Sequence, residues 1–168
     1  MRIAYCIHSL HLFGGIERVL SIKANYLADV YGYDIHLITA DLKGRATHFA
    51  LSDKITLHDV GVSEKFMLHA YGRRLNKILC EIRPDICVSV GGRDIFCLPS
   101  CTDGSIKVSE FHFSHDKYAV KYGGSFFGNI YARFRMRQIE KVAAKLDKFI
   151  VLTKSDKKDW EPFVPNVT

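Results

Sequence analysis

Short apolar runs alternate with segments of helical periodicity along this chain, and that alternation is the strongest constraint on its fold. The runs are Ile3 to Ile7, Asp34 to Ala40, Ile55 to Val60, Asp85 to Val90, Ile106 to Phe111 and Lys148 to Leu152. Between most of them lie helical patterns at Ile16 to Tyr31, Glu64 to Ile82 and Ser125 to Leu146. Such alternation predicts a mostly parallel sheet with helices on both faces, a Rossmann-like three-layer α/β/α domain. Gly32 stands where the first helix wants a left-handed cap, and Pro84 closes the second because its ring cannot continue the helical hydrogen bonds. Thr153 to Trp160 reads as a further short helix.

The chain has 168 residues, 48% of them hydrophobic, enough for one substantial core, so a single domain over residues 1–168 is expected. The 24 Lys and Arg against 18 Asp and Glu give a formal charge of +6. Its field favours anionic partners without separating nucleotides, phospholipids and nucleic acids. No nucleic-acid-binding motif accompanies the charge, so nucleic acid is not an expected partner. Cys6, Cys80, Cys87, Cys97 and Cys101 are odd in number and scattered through apolar stretches, which suits free thiols in a reducing compartment. Cys97 and Cys101 lack a second pair at zinc-finger spacing, and no metal is expected. No stretch approaches the roughly 18 apolar residues of a spanning helix. The chain opens on a strand, unlike a signal peptide, so a cytoplasmic location is expected, with any membrane contact peripheral, at the inner face.

Gly14 and Gly15, in HSLHLFGGIERVL, fall at the joint of the first strand and first helix, where an open α/β sheet binds ligands. A turn without side chains lets a phosphate approach the backbone, and the helix's free N–H groups and positive dipole end attract it. An ordinary tight turn is the plainer alternative. No G-x-G-x-x-G can be drawn, which argues against nicotinamide or flavin chemistry. Glu17 lies in the first helical turn, either answering the dipole or holding the glycine loop through backbone hydrogens. Arg18 is within reach of a phosphate but also fits an exposed surface role. His8 and His11 flank the same loop. Gly91, Gly92, Arg93 and Asp94 form a second glycine-bearing turn after the fourth strand, in which Arg93 is placed either to bind an anionic acceptor or simply in a flexible loop.

Arg133, Arg137, Lys141 and Lys145 recur at four-residue spacing on the last long helix, near Phe127, Ile130, Tyr131 and Phe134. A solvated face is the usual meaning of such a stripe. With Arg73, Arg74 and Lys77 on the preceding helix, it also fits a face resting on an anionic membrane.

Three segments in order, GGIERVL with Gly14, Gly15 and Glu17, SEFHFSHD at 109–116, and VLTKSDKKDW at 151–160, resemble the amino-terminal half of a family 4 glycosyltransferase of the GT-B fold. The resemblance covers nearly the whole chain. It implies two Rossmann-like domains facing across a cleft. The amino-terminal one mainly binds the acceptor, and the carboxyl-terminal one, absent here, grips the nucleotide-sugar donor. Residues 161–168, with Pro165 and Asn166, then read as the start of the interdomain linker, and an ending in PFVPNVT reads as the approach to another strand. The chain is thus expected to be a fragment that does not complete transfer alone.

The resemblance further implies a retaining hexosyl transfer in surface-polysaccharide assembly, with a nucleotide-sugar as co-substrate, a glycan or lipid-linked acceptor, and neither metal nor cofactor. The glycine loop would face the donor diphosphate. Glu110 and His112 are similar to a Glu and a His that relatives carry at this strand end, near donor sugar and acceptor. Relatives often have the two adjacent, whereas Phe111 separates them here. An imidazole there suits hydrogen bonding to a sugar hydroxyl or orienting the acceptor. His115 and Asp116 are further candidates in the same loop, and a metal is disfavoured because side chains at the spacing of His112, His115 and Asp116 diverge on an extended chain. A different class of function also remains open: a stand-alone Rossmann-like module binding a phosphorylated ligand or a partner protein without catalysis.

Overall fold

The computed structural model describes residues 1–40, 42–63 and 67–168. Six strands, β1 (Arg2–Ile7), β2 (Asp34–Thr39), β3 (Thr56–Asp59), β4 (Ile86–Ser89), β5 (Ile106–Phe111) and β6 (Lys148–Val151), form one sheet in the order β3-β2-β1-β4-β5-β6. Every neighbouring pair is parallel. The expected Rossmann-like α/β architecture is therefore present. Parallel strands need long crossovers, in which α1 (Gly15–Asp29) joins β1 to β2, α2 (Leu68–Ile82) joins β3 to β4, and α3 (Lys117–Tyr122) with α4 (Phe126–Ala143) joins β5 to β6; α5 (Lys154–Trp160) follows β6.

The period-two alternation of each strand sorts the core into two layers. Ile3, Tyr5, Ile35, Leu37, Val88 and Val108 face one way, against Leu20, Ala24 and Ala28 of α1. Ala4, Cys6, Ile38, Cys87, Phe111 and Phe149 face the other, against α2, α4 and Trp160 of α5. Trp160 is wholly buried, its ring 4.7 Å from that of Phe149 and 5.2 Å from that of Phe111.

Helix ends follow local chemistry. Gly32 takes the left-handed conformation, φ +64°, beyond α1. At the end of α2 the left-handed residue is Arg83, φ 49°, because Pro84 follows and disfavours the helical conformation before it. Ser125 caps α4 by accepting the Gly128 N–H, and Thr153 caps α5 by accepting that of Asp156.

The structure differs from expectation in three places. Glu64, proposed as the start of the second helix, lies outside the described residues, and α2 begins at Leu68. In the segment 109–116, Ser109, Glu110 and Phe111 belong to β5, as the run Ile106 to Phe111 leads one to expect. Lys117–Tyr122 is a helix where no helical pattern was expected, and α4 is shorter than the expected Ser125 to Leu146. The carboxyl end adds a strand-like contact: Val167 bridges Phe149 in parallel, and the Thr168 N–H donates to the Phe149 carbonyl at 2.8 Å.

Candidate functional site

All six strands deliver their carboxyl ends to one edge, and the order reverses between β1 and β4. The chain leaves β1 toward β2 and leaves β4 toward β5, so the connections part and open a crevice between them. The turns after β1, β4 and β5 supply its candidate residues.

After β1, the loop is fixed by its backbone: the His8 carbonyl accepts the Ala40 N–H and the Leu10 carbonyl accepts the His48 N–H at 2.8 Å. His8 is exposed; His11 is half-buried, with its Nδ1 hydrogen-bonded to the buried Ser9 hydroxyl. Gly14 is the N-cap of α1 in an extended conformation. A methyl group there would overlap the Glu17 carboxylate, which folds back over this glycine. Gly15 opens α1, and a Cβ on it would meet nothing within 4 Å. The helix start is thus open to a ligand on the Gly15 side, while Glu17 closes the other.

After β5, alternation sends Glu110 to the same face as Val108, toward α1. There Lys23 of α1 reaches it, Nζ to Oε1 2.6 Å. The ammonium also lies 4.7 Å above the Tyr5 ring centre on β1. Tyr5 is buried, and burial, followed by the Glu110 charge, raises its hydroxyl well above the usual tyrosine range. His112 Nε2 lies 3.7 Å from Glu110 Oε2, too long for a hydrogen bond, and is buried without a hydrogen-bond partner. The result is a chain Tyr5, Lys23, Glu110, His112. Glu110 is the member already neutralised, and the imidazole is the one with unused hydrogen-bonding capacity. A ring nitrogen so placed can bond a hydroxyl delivered to the strand end.

His115 goes elsewhere. Its Nε2 pairs with Glu140 of α4 at 3.1 Å, and its ring stacks on Phe163 and meets Trp160 edge-on. It ties the β5–α3 turn to α4 and α5. Asp116 is the exposed N-cap position of α3.

After β4, Gly91 adopts φ +82°, where a Cβ would also press on the Phe113 ring at 3.3 Å. This turn carries Arg93 into a cavity of about 330 Å³, lined as well by His8, Lys117, Lys121 and Arg135. Lys117 is half-buried over the Phe113 ring, 3.3 Å from its centre, and burial, then Lys121 and Arg135, push its ammonium pKa down to about 8. A larger depression of about 520 Å³ lies beside α2, lined by Leu68, Gly72, Arg73 and Cys97, and holds none of the candidate catalytic or substrate-binding residues.

The four cations proposed as a stripe on α4 are all exposed, but they do not share one face. At about 100° per residue a four-residue step drifts by roughly 40°, so the row winds about 80° from Arg133 to Lys141, and Lys145 lies beyond the end of α4. Arg133 and Arg137 accordingly line a depression with His115, whereas Lys141 lines another with Arg93 and Arg135. Beside them Phe126, Phe127, Ile130 and Phe134 stand half or more exposed.

Among the described residues no three His, Cys, Asp or Glu side chains gather to hold a metal ion, and no helix is long and apolar enough to cross a membrane. The thiols are free, and burial lifts that of Cys101 to about 12.

No protein-family model matches the chain, and no curated protein matches it. Among solved structures, it superposes on a lipopolysaccharide outer core galactosyltransferase, WaaB, in its apo form, with a TM-score of 0.69 at 14% sequence identity. The match covers 100% of this chain and 44% of that one. The chain has the fold of a GT-B half-domain. It spans less than half the length of that glycosyltransferase, and at this identity the likeness speaks for fold.

Sequence reasoning missed Tyr5, Lys23, Lys117, Lys121 and Arg135. Lys23 and Glu110 are 87 residues apart, so no local pattern joins them. The four-residue spacing of Lys117 and Lys121 is a readable signal once α3 is known to be helical.

Proposed function

We propose that this chain is the acceptor-side half of a retaining family 4 glycosyltransferase that moves a hexosyl group from a nucleotide-sugar to a glycan or lipid-linked acceptor in surface-polysaccharide assembly. The observation that carries this reading is His112: a buried imidazole nitrogen without a partner, at the carboxyl end of β5, in a chain with a GT-B half-domain fold. His112 would bond a hydroxyl of sugar or acceptor. Glu110, held by Lys23, would stand beside it at the strand end. The open Gly15 side of α1 would face the donor diphosphate, where helix N–H groups stabilise negative charge.

Domain closure completes such a site by excluding water. The reading calls on no metal or cofactor, since the nucleotide-sugar is a co-substrate. Arg133 and Arg137, beside the exposed Phe127, Ile130 and Phe134, would rest on the anionic cytoplasmic face of a membrane.

The intact mass of the native polypeptide tests this reading. A product of about twice this length, in the proportion of the galactosyltransferase match, is expected. A native product of 19.1 kDa would instead favour a stand-alone binding module.

A further inference from the structure

Beyond the histidine site, the crevice between β1 and β4 holds a concentration of positive charge that nothing in the fold requires. Lys117 and Lys121 come from successive turns of α3, and Arg135 from α4, which packs against it. None of these three ion-pairs with a carboxylate among the described residues: Lys117 sits over the Phe113 ring, Lys121 near that of Tyr122, and Arg135 donates to the Gln138 side chain at 2.7 Å. Like charges held together in a partly desolvated cavity disfavour the free protein. Burial first, and then the charges of Lys121 and Arg135, lower the Lys117 pKa. An anion entering the cavity relieves the repulsion.

The walls indicate what carries the anion. Tyr118 and Tyr122 stack at 6.1 Å between ring centres, and Tyr131 meets Tyr122 edge-on at 5.0 Å. Tyrosines offer flat apolar faces with polar tips, the surface that suits a ring with C–H faces and a hydroxyl rim. The cavity, about 330 Å³, falls at the lower end of the roughly 300–1,000 Å³ of small-ligand sites, and it lies at the point where open α/β sheets bind ligands. A phosphomonoester, close to a dianion at neutral pH with several strong acceptor oxygens, matches a group of cations better than a single carboxylate does.

We propose that this cavity binds the phosphate of a phosphorylated hexose unit of the glycan acceptor, through Lys117, Lys121 and Arg135, with the sugar ring against the three tyrosines. This rests on the acceptor-side reading above.

The test is calorimetric binding to the full-length protein at neutral pH and low salt, with glucose 6-phosphate, glucose and orthophosphate as probes. Glucose 6-phosphate is expected to bind at least about tenfold tighter than either of the others, the scale of one charge-assisted hydrogen bond. Lys117→Gln should lose that preference with a melting midpoint no lower than the parent's, while Lys158→Gln, at an exposed position of α5, should keep it. Equal affinity for glucose and glucose 6-phosphate overturns the proposal. So does orthophosphate binding as tightly as the sugar phosphate, which marks a bare anion site. Turnover of nucleotide-sugar is measured separately. A protein that transfers sugar but ignores the phosphate loses this inference and keeps the proposed function, and one that binds the sugar phosphate without any turnover does the reverse.

Discussion

Replacing Lys23 by alanine removes the ammonium that neutralises Glu110 and leaves a carboxylate facing the Tyr5 ring. The pair is close, 2.6 Å, and mostly desolvated, with side-chain exposures of 30% for Lys23 and 20% for Glu110. Removing one partner of a fully buried pair costs about 3–5 kcal/mol, whereas exposed pairs contribute about 0–1 kcal/mol. Intermediate burial places Lys23→Ala at about 2 kcal/mol. Equilibrium urea unfolding reads this directly. With a slope of roughly 2 kcal/mol/M, the midpoint should fall by about 1 M. The double variant Lys23→Met with Glu110→Gln removes both charges and keeps the packing, so it should return to within about 1 kcal/mol of the parent. A loss below about 0.5 kcal/mol for Lys23→Ala, or a double variant as unstable as the single one, would refute the view that Glu110 is held chiefly by this charge pair.

Sedimentation with anionic vesicles at low salt, and release at high salt, is expected of the α4 surface, with Phe127→Ser/Phe134→Ser weakening the binding; equal binding to neutral vesicles contradicts the membrane face. His58, hydrogen-bonded to His36 at 2.9 Å, has its pKa lowered by burial and then by that neighbour. The unfolded chain therefore binds the proton more readily, and stability contributed by neutral His58 is full above the unfolded histidine value and lost as pH falls through the folded one. Unfolding midpoints followed down through that range should decline less steeply in His58→Gln, and an unchanged slope contradicts this. Arg83→Gly relieves a left-handed non-glycine residue and should gain roughly 0.5–1 kcal/mol in thermal or urea unfolding; a loss would show that the arginine side chain outweighs the backbone strain.

The strands were legible because burial on both sheet faces imprints apolar runs, and all six lie where those runs do. Gly32 and Pro84 marked helix ends through backbone chemistry that does not depend on context. The α3 helix was not legible. It is six residues long with none buried, so it leaves no apolar periodicity to read. For the candidate site, position was legible and partnership was not. Glu110 and His112 were picked out at a strand end, but Glu110's engagement by Lys23 arises from the packing of α1 over β1 and β5, which only the sheet order brings together. His115 looked equivalent to His112 in sequence. The first directly follows β5, while the turn beyond it swings the second onto Phe163 and Glu140. The α4 cations were read as one stripe because four-residue spacing approximates, but does not equal, the helical repeat.

The most direct test of the central claim is release of nucleoside diphosphate by the full-length protein from a panel of nucleotide-sugars in the presence of glycan acceptors, with His112→Ala beside the parent. Acceptor-dependent consumption of one nucleotide-sugar is predicted, falling at least about tenfold in His112→Ala with an unchanged unfolding midpoint. A parent that consumes no nucleotide-sugar, or a variant that matches it, would contradict the account.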